Sequence, residues 1–439
     1  MATITGKPET LVGKRIRRRE DPRLITGTAT YVDDVKMPGM LYVAFVRSPH
    51  GAAKIKSINK DAALGVKGVV AVFTGADIAG VGSIPCGASL PGLRVPNHTI
   101  LATDRVYLVG HPVAAVVAKD RYVANDAADL VEVEYEVTQA VTDMEKAISA
   151  GAPAVHPQWP DNTAFTFHQE GGDVDKAFAE ADVVVKQRIT SQRLIPLSME
   201  TRGVVASWNA ADRSLLLYTS TQIPHLCRTL LAGMLGLDEN RLRLVAPEVG
   251  GGFGSKLNVY AEEGVLGFIA MKLAKPVKWI ETRREAFTCT IHGRGHVDYY
   301  EVAAKKDGTI LGIKVKIIQD LGAFHQLLGP AIPTLSVLMI PGLYKMRNVR
   351  ADVIGVFTNC TPTDAYRGAG RPEATHSIER MVDILATELK MDPAEIRLKN
   401  FVANEDFPFP TATGLTYDSG DYAAPLKKAL DLVDYAALR

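Results

Sequence analysis

The sequence predicts an α+β fold built in two successive parts, the second larger and more mixed than the first. Three observations carry this expectation. Short alternating strands crowd residues 26–141, an irregular stretch rich in Gly, Pro and Asn follows at 149–162, and strands then alternate with helices of ten residues or more. A length of 439 residues with 47% apolar side chains supports large cores and a prior of about three domains. The expected division is an arm at 1–20, a first module at 21–145, a linker at 146–165, a larger domain at 166–425, and at 426–439 the start of a connection to something further.

In the first module, strands are expected at 41–46, 69–73, 112–118 and 131–135, with one helix at 121–129. In the second, strands at 182–189, 215–219, 241–246 and 310–320 alternate with helices at 224–235, 259–273 and 373–389. The net charge of +1 gives no general argument for nucleic acid or an anionic membrane. Lys14, Arg15, Arg17, Arg18 and Arg19 form a local basic run, but Glu20 and Asp21 follow it and no aromatic interleaves, so it reads as a solvated face. It is not an export signal, since acidic residues stand where an apolar segment should begin. No segment reaches the ~20 apolar residues that span a bilayer. Cys86, Cys227, Cys289 and Cys360 lie far apart, which predicts free thiols, a reducing cytoplasmic setting, and no zinc or iron–sulfur ligand set in this chain.

The most informative run is Pro247-Glu248-Val249-Gly250-Gly251-Gly252-Phe253-Gly254-Ser255-Lys256, between a predicted strand and a predicted helix. Three consecutive glycines let a backbone approach a ligand with no side chain intervening. Free N–H groups at the start of the following helix are expected to suit an anionic, oxygen-bearing group. Neither a dinucleotide fingerprint nor a phosphate loop fits, because Ser255 stands where the first needs glycine and separates Gly254 from Lys256 in the second. This leaves a nicotinamide dehydrogenase without its phosphate site. Two further sites accompany the turn. Ser220-Thr221-Gln222 precedes a helix opened by Pro224, and Ala365-Tyr366-Arg367-Gly368-Ala369-Gly370-Arg371-Pro372-Glu373 is a glycine loop leading into another. His292 and His296 are four apart, but Gly293 and Gly295 oppose a helix there, so a structural reading is preferred to a metal site, as for His50, His111, His225 and His325.

The order Ser-Thr-Gln, Gly-Gly-Gly-Phe-Gly-Ser-Lys and Ala-Tyr-Arg-Gly-Ala-Gly-Arg-Pro-Glu resembles the large, molybdopterin-binding subunit of the xanthine oxidase, aldehyde oxidase and carbon monoxide dehydrogenase family. The likeness runs along the chain, from residues 13–34 to Met391-Asp392-Pro393 and beyond. It implies an N-terminal α/β hammerhead domain followed by the first of two molybdenum-cofactor-binding domains. It also implies that Gln222 approaches the apical oxo ligand of molybdenum, that Gly251, Gly252, Phe253 and Gly254 bring backbone amides to the cofactor, and that Arg367 lies across the metal. Few or no direct protein–metal bonds are expected. The implied reaction is hydroxylation with water as the oxygen source, the electrons leaving through a 2Fe-2S small subunit and an FAD medium subunit. The implied cofactor is the cytosine dinucleotide form of molybdenum–molybdopterin.

Departures from the family pattern narrow the substrate. Leu257 stands where purine-oxidising members place a glutamate, and Gly368 where carbon monoxide dehydrogenases carry a copper-binding cysteine. Ala369 stands where purine- and aldehyde-oxidising members often carry an aromatic that stacks on substrate. The Ala-Tyr-Arg-Gly-Ala-Gly-Arg run resembles the form II members, leaving an aldehyde or N-heteroaromatic carbon as the expected substrate. The resemblance implies that the second cofactor domain and its general-base glutamate come from elsewhere, either a partner half or a longer chain. The alternatives are a paralogue or fragment that binds no molybdenum, and a carbon monoxide dehydrogenase-like activity without the copper cysteine. Glu200 resembles a position near the cofactor cleft and is expected to be supporting structure.

Overall fold

The computed structural model describes residues 10–439, so the first nine residues of the predicted arm lie outside the described residues. Two large sheets organise the chain. The first has seven strands in the order Leu242–Val245, Ser214–Thr219, Gly203–Asn209, Val277–Ile280, Leu41–Arg47, Pro112–Ala118 and Val69–Thr74. The second has five, in the order Thr163–Gly171, Val349–Phe357, Ile310–Gly322, His296–Ala304 and Val183–Ser191. A small third sheet pairs Ala53–Asn59 with Arg105–Val106 and Glu132–Val137.

The first module is not self-contained. Leu41–Arg47 pairs in parallel with Val277–Ile280, so three strands from before the linker and four from after it share one sheet. Pro112–Ala118 explains why: all seven of its residues are buried, and a strand buried on both faces needs neighbours and layers that the early segment alone does not supply. The stretch at 149–162 is irregular as expected, but it packs firmly. Trp159 stacks on Phe357 at 5.3 Å, and the His156 ring bonds the Ala323 carbonyl at 2.7 Å.

Helices Pro224–Leu235 and Ala261–Leu273 contribute Leu231, Val265, Leu266 and Ile269 to the core on one face of the seven-stranded sheet. Gly236, at φ +65°, ends the first of them in a left-handed cap. The second is apolar almost all round because it is buried almost all round. Helix Arg371–Leu389 packs Ile378, Met381, Val382 and Leu385 into the core of the five-stranded sheet. No helix among the described residues is long and apolar enough to cross a membrane.

Strands Ser214–Thr219 and Leu242–Val245 are parallel neighbours, so their carboxyl ends emerge side by side. In open sheets the crevice beyond such ends is where ligands collect. The segment carrying Gln222 leaves the first of these strands, and the glycine turn leaves the second.

Candidate active site

Gln222 and the glycine turn are built around each other. The Gln222 N–H donates to the Lys256 carbonyl at 2.8 Å, and its Oε1 accepts from the N–H of Gly254 at 3.0 Å and of Lys256 at 3.3 Å. Two backbone N–H groups can be met only by the carbonyl oxygen of the amide, which fixes its orientation and turns the NH2 away from the turn. Gly252 is required by this packing, because a Cβ there would lie 2.3 Å from Gln222 Oε1. Gly254, at φ +105°, is required by the other side, where a Cβ would lie 1.8 Å from the Ala365 carbonyl oxygen.

The Arg367 loop closes on the same turn. The Arg367 N–H donates to the Phe253 carbonyl at 2.9 Å, and its guanidinium carbon lies 5.8 Å from the centre of the Phe253 ring. Phe253 has φ +54° and is 45% exposed, so an apolar ring is held outward by a backbone conformation a bulky residue rarely adopts. The amides of Gly251, Gly252 and Phe253 donate to no acceptor among the described residues. Arg367 and Gln222 are both exposed. The cluster therefore presents donors and one cation, with Phe253 as its apolar wall.

Behind the turn, Glu200 Oε2 accepts from Gly250 N–H at 2.8 Å, Ser220 Oγ at 2.6 Å and Lys256 Nζ at 2.8 Å. Glu200 thus ties both site segments together, consistent with a supporting role. Lys256 is 2% exposed, and burial pushes its ammonium below the usual range against the pull of Glu200. Deeper still, Arg202 bonds Glu281 at 2.7 Å and Glu262 at 2.9 Å, and its guanidinium lies 3.8 Å from the Tyr260 ring centre. The Tyr260 hydroxyl in turn donates to the Ser255 carbonyl at 2.5 Å, which transmits this support to the turn.

The expectation of an open helix start is corrected. The helix begins at Ala261, seven residues beyond Gly254, and Glu263 closes its end by accepting from the Tyr260 N–H at 2.7 Å. Glu262 is buried beside it, so carboxylates already occupy the positive end of the dipole and leave no place for an anion. The amides without an acceptor among the described residues belong to the turn itself. Burial raises the Glu263 carboxyl to about pH 7, so it is fully protonated in the folded state only well below that. Its folded value exceeds the ordinary 4.5. The stability it contributes is therefore complete below pH 4.5 and lost as pH rises through about 7. Glu263→Gln is expected to flatten the stability profile between about pH 4.5 and 7 by on the order of 3 kcal/mol. Denaturant melts at several pH values test this, and parallel profiles for both proteins would refute it.

Leu257 is half-buried, and its N–H returns to the Gly254 carbonyl at 3.0 Å, so it braces the turn without a bond to the Arg367 loop. Ala369 is half-buried at φ +49°, which disfavours a bulky residue there. Gly368 is exposed at φ +109°, and a Cβ would lie 2.5 Å from Pro372 Cγ, so this backbone has no room for a cysteine. His296 lies on a strand rather than a helix. Among the described residues no group of three or more His, Cys, Asp or Glu could hold a metal ion.

The sequence reading missed Arg294. Its Nη1 donates to the Tyr366 carbonyl at 2.8 Å, its Nη2 to the Arg367 carbonyl at 3.0 Å, and it pairs with Glu373 at 3.3 Å. The signal in the sequence is an arginine between Gly293 and Gly295, two glycines that otherwise read as helix breakers beside His292 and His296.

Comparison with known proteins identifies the family. Residues 155–401 match the molybdopterin cofactor-binding domain, and residues 26–139 the a/b hammerhead domain of aldehyde oxidase and xanthine dehydrogenase. The chain is 40% identical to the carbon monoxide dehydrogenase large chain of Hydrogenophaga pseudoflava, over 98% of this chain and 55% of that one. It is 31% identical to the nicotinate dehydrogenase large molybdopterin subunit of Eubacterium barkeri, over 90% of each. The solved structure of quinoline 2-oxidoreductase from Pseudomonas putida 86 superposes with a TM-score of 0.93 at 34% identity, covering 97% of this chain and 55% of that one. The chain thus spans about half the length of most of these relatives. A hammerhead domain followed by a molybdopterin cofactor-binding domain that contains all three site segments places this chain in the xanthine dehydrogenase and aldehyde oxidase family of molybdopterin-binding large subunits.

Proposed function

We propose that this chain carries one half of the active site of a molybdenum hydroxylase that oxidises an aldehyde or N-heteroaromatic C–H carbon with water. The observation that carries this reading is the donor-only character of the cluster. The Gln222 NH2, the amides of Gly251, Gly252 and Phe253 and the Arg367 guanidinium belong to one cluster and make no hydrogen bond to a carboxylate among the described residues. Such a lining fits an oxygen-rich, anionic metal group better than a bare cation, because fixed N–H donors stabilise oxygen ligands without reorganising. Bound there, molybdenum–molybdopterin supplies a two-electron acceptor and an activated oxygen derived from water. Gln222, Gly252 and Phe253 orient the group through N–H donors, Phe253 keeps water from one side, and Arg367 supplies positive charge.

Leu257 argues against a purine substrate, since it offers no acceptor or charge. Gly368 argues against a copper–molybdenum centre, since it carries no thiol and its backbone admits none. Nicotinate dehydrogenase and quinoline 2-oxidoreductase among the relatives support an N-heteroaromatic carbon. The relatives' greater length supports a functional unit larger than this chain. A second cofactor-binding half with a general base, 2Fe-2S and FAD subunits and the cytosine dinucleotide form of the cofactor belong to the same proposal, as the family resemblance implies. Four unpaired cysteines support a cytoplasmic setting.

The test is oxidation of a panel of aldehydes and N-heteroaromatics by the complex purified from its native cell, in 18O-labelled water with a dye acceptor. The expected product carries label from water. A fully metallated complex that oxidises none of the panel, or that takes its oxygen from O2, would contradict the reading.

A further inference from the structure

The segment His292-Gly293-Arg294-Gly295-His296 is the bed on which the Arg367 loop lies. The His292 N–H donates to the Pro362 carbonyl at 3.0 Å, and the Asp364 N–H returns to the His292 carbonyl at 3.0 Å. Gly293 is required by contact, since a Cβ there would lie 2.4 Å from Tyr366 Cβ. Arg294 itself is held at φ +63°, with its carbonyl accepting from Gln319 Nε2 at 3.0 Å. Its guanidinium lies 4.7 Å from the Tyr366 ring centre and is paired with Glu373, which is 2% exposed. An arginine in a strained backbone, buried to 11% exposure and committed to two successive carbonyls, is aimed at the loop rather than at solvent.

We propose that Arg294 is a positioning residue for Arg367. Its fork holds the Tyr366 and Arg367 carbonyls in one geometry, so that the Arg367 N–H meets the Phe253 carbonyl and the Arg367 side chain stands at a fixed place beside the exposed ring. A lysine ammonium has donors enough but no planar fork to hold both carbonyls in one geometry, so charge alone does not replace it. This inference rests on the molybdenum reading of Arg367, and its test separates the two.

The experiment compares wild type, Arg294→Met and Arg294→Lys in the complete complex, first by molybdenum content, then by amide hydrogen exchange and turnover per molybdenum. The Arg367 and Ala369 amides, which donate to Phe253 and Tyr366, are expected to exchange at least about tenfold faster in both variants, while strand Ile310–Gly322 is unchanged. Turnover per bound molybdenum is expected to fall about a hundredfold, with an altered Mo(V) resonance and little recovery by lysine. Unchanged exchange at those two amides, or lower metal loading with unaltered turnover and spectrum per metal, overturns the proposal and leaves Arg294 a brace. Wild-type complex without molybdenum would defeat the functional reading instead, and the exchange comparison would still decide whether Arg294 sets the loop. Should the methionine variant fail to assemble, the lysine variant carries the same comparison.

Discussion

Gly254→Ala is expected to force the two halves of the site apart. A Cβ at this position would lie 1.8 Å from the Ala365 carbonyl oxygen and 2.7 Å from its carbon, both backbone atoms that cannot swing aside. Its φ of +105° is in addition a conformation alanine resists. Relief requires moving the turn away from the loop, which breaks the Gly254 bond to Gln222 and the Arg367 bond to Phe253 together. Strain of about 1 to 3 kcal/mol adds to the loss of two hydrogen bonds of about 1 kcal/mol each, so a total near 3 to 5 kcal/mol is expected. Metal and pterin retained by the complex are expected to fall with it. Gly233→Ala is the internal control. That glycine lies in helix Pro224–Leu235 with open space around its Cβ position, and alanine there is expected to stabilise by up to about 1 kcal/mol. If both substitutions prove equally mild in thermal melts and metal content, the tight apposition of turn and loop is not what holds the site.

Arg202→Met is expected to be the most damaging change away from the ligand face. The guanidinium sits between strand Gly203–Asn209, which it precedes, and Glu281, which follows strand Val277–Ile280. It bonds Glu281, Glu262 and Thr290 while covering the rings of Tyr260 and Trp279. Methionine fills much of the volume but leaves two buried carboxylates facing each other's field, with Arg47 remaining as a partner for Glu262. Removing one partner of such a buried set costs about 3 to 5 kcal/mol. The pH dependence is a second signature. Burial by itself would raise the Glu262 carboxyl, yet the guanidiniums of Arg202 and Arg47 hold it down at about 2. Its contribution is therefore present above pH 4.5 and lost as pH falls toward 2. In the variant this acid-side loss is expected to shrink or reverse, as measured by denaturant melts between pH 3 and 6. An unchanged acid limb would show that Arg202 does not hold Glu262 ionised.

Much of the site was legible in the sequence, for a physical reason. Gly252 and Gly254 are dictated by atoms less than 3 Å from an absent side chain, and such constraints appear in the sequence as glycine. The motif order then linked three segments that are far apart along the chain. Helix Pro224–Leu235 was legible because proline opens it and Gly236 closes it. What was not legible was long-range pairing. Strands Gly203–Asn209, Val277–Ile280 and His296–Ala304 are buried with little alternation, so they lack a period-2 signal and are made strands by their neighbours. The sharing of one sheet across the linker was hidden for the same reason. Arg294 was overlooked because its partners are carbonyls of Tyr366 and Arg367, and backbone acceptors leave no trace in a sequence.

Gln222, the Gly251–Gly254 turn and Arg367 are proposed to hold a molybdenum cofactor. Elemental analysis of the complex recovered with this chain from its native cell tests it most directly. Molybdenum and pterin near one equivalent per chain are the predicted result. A stable, fully partnered complex with neither would contradict the account.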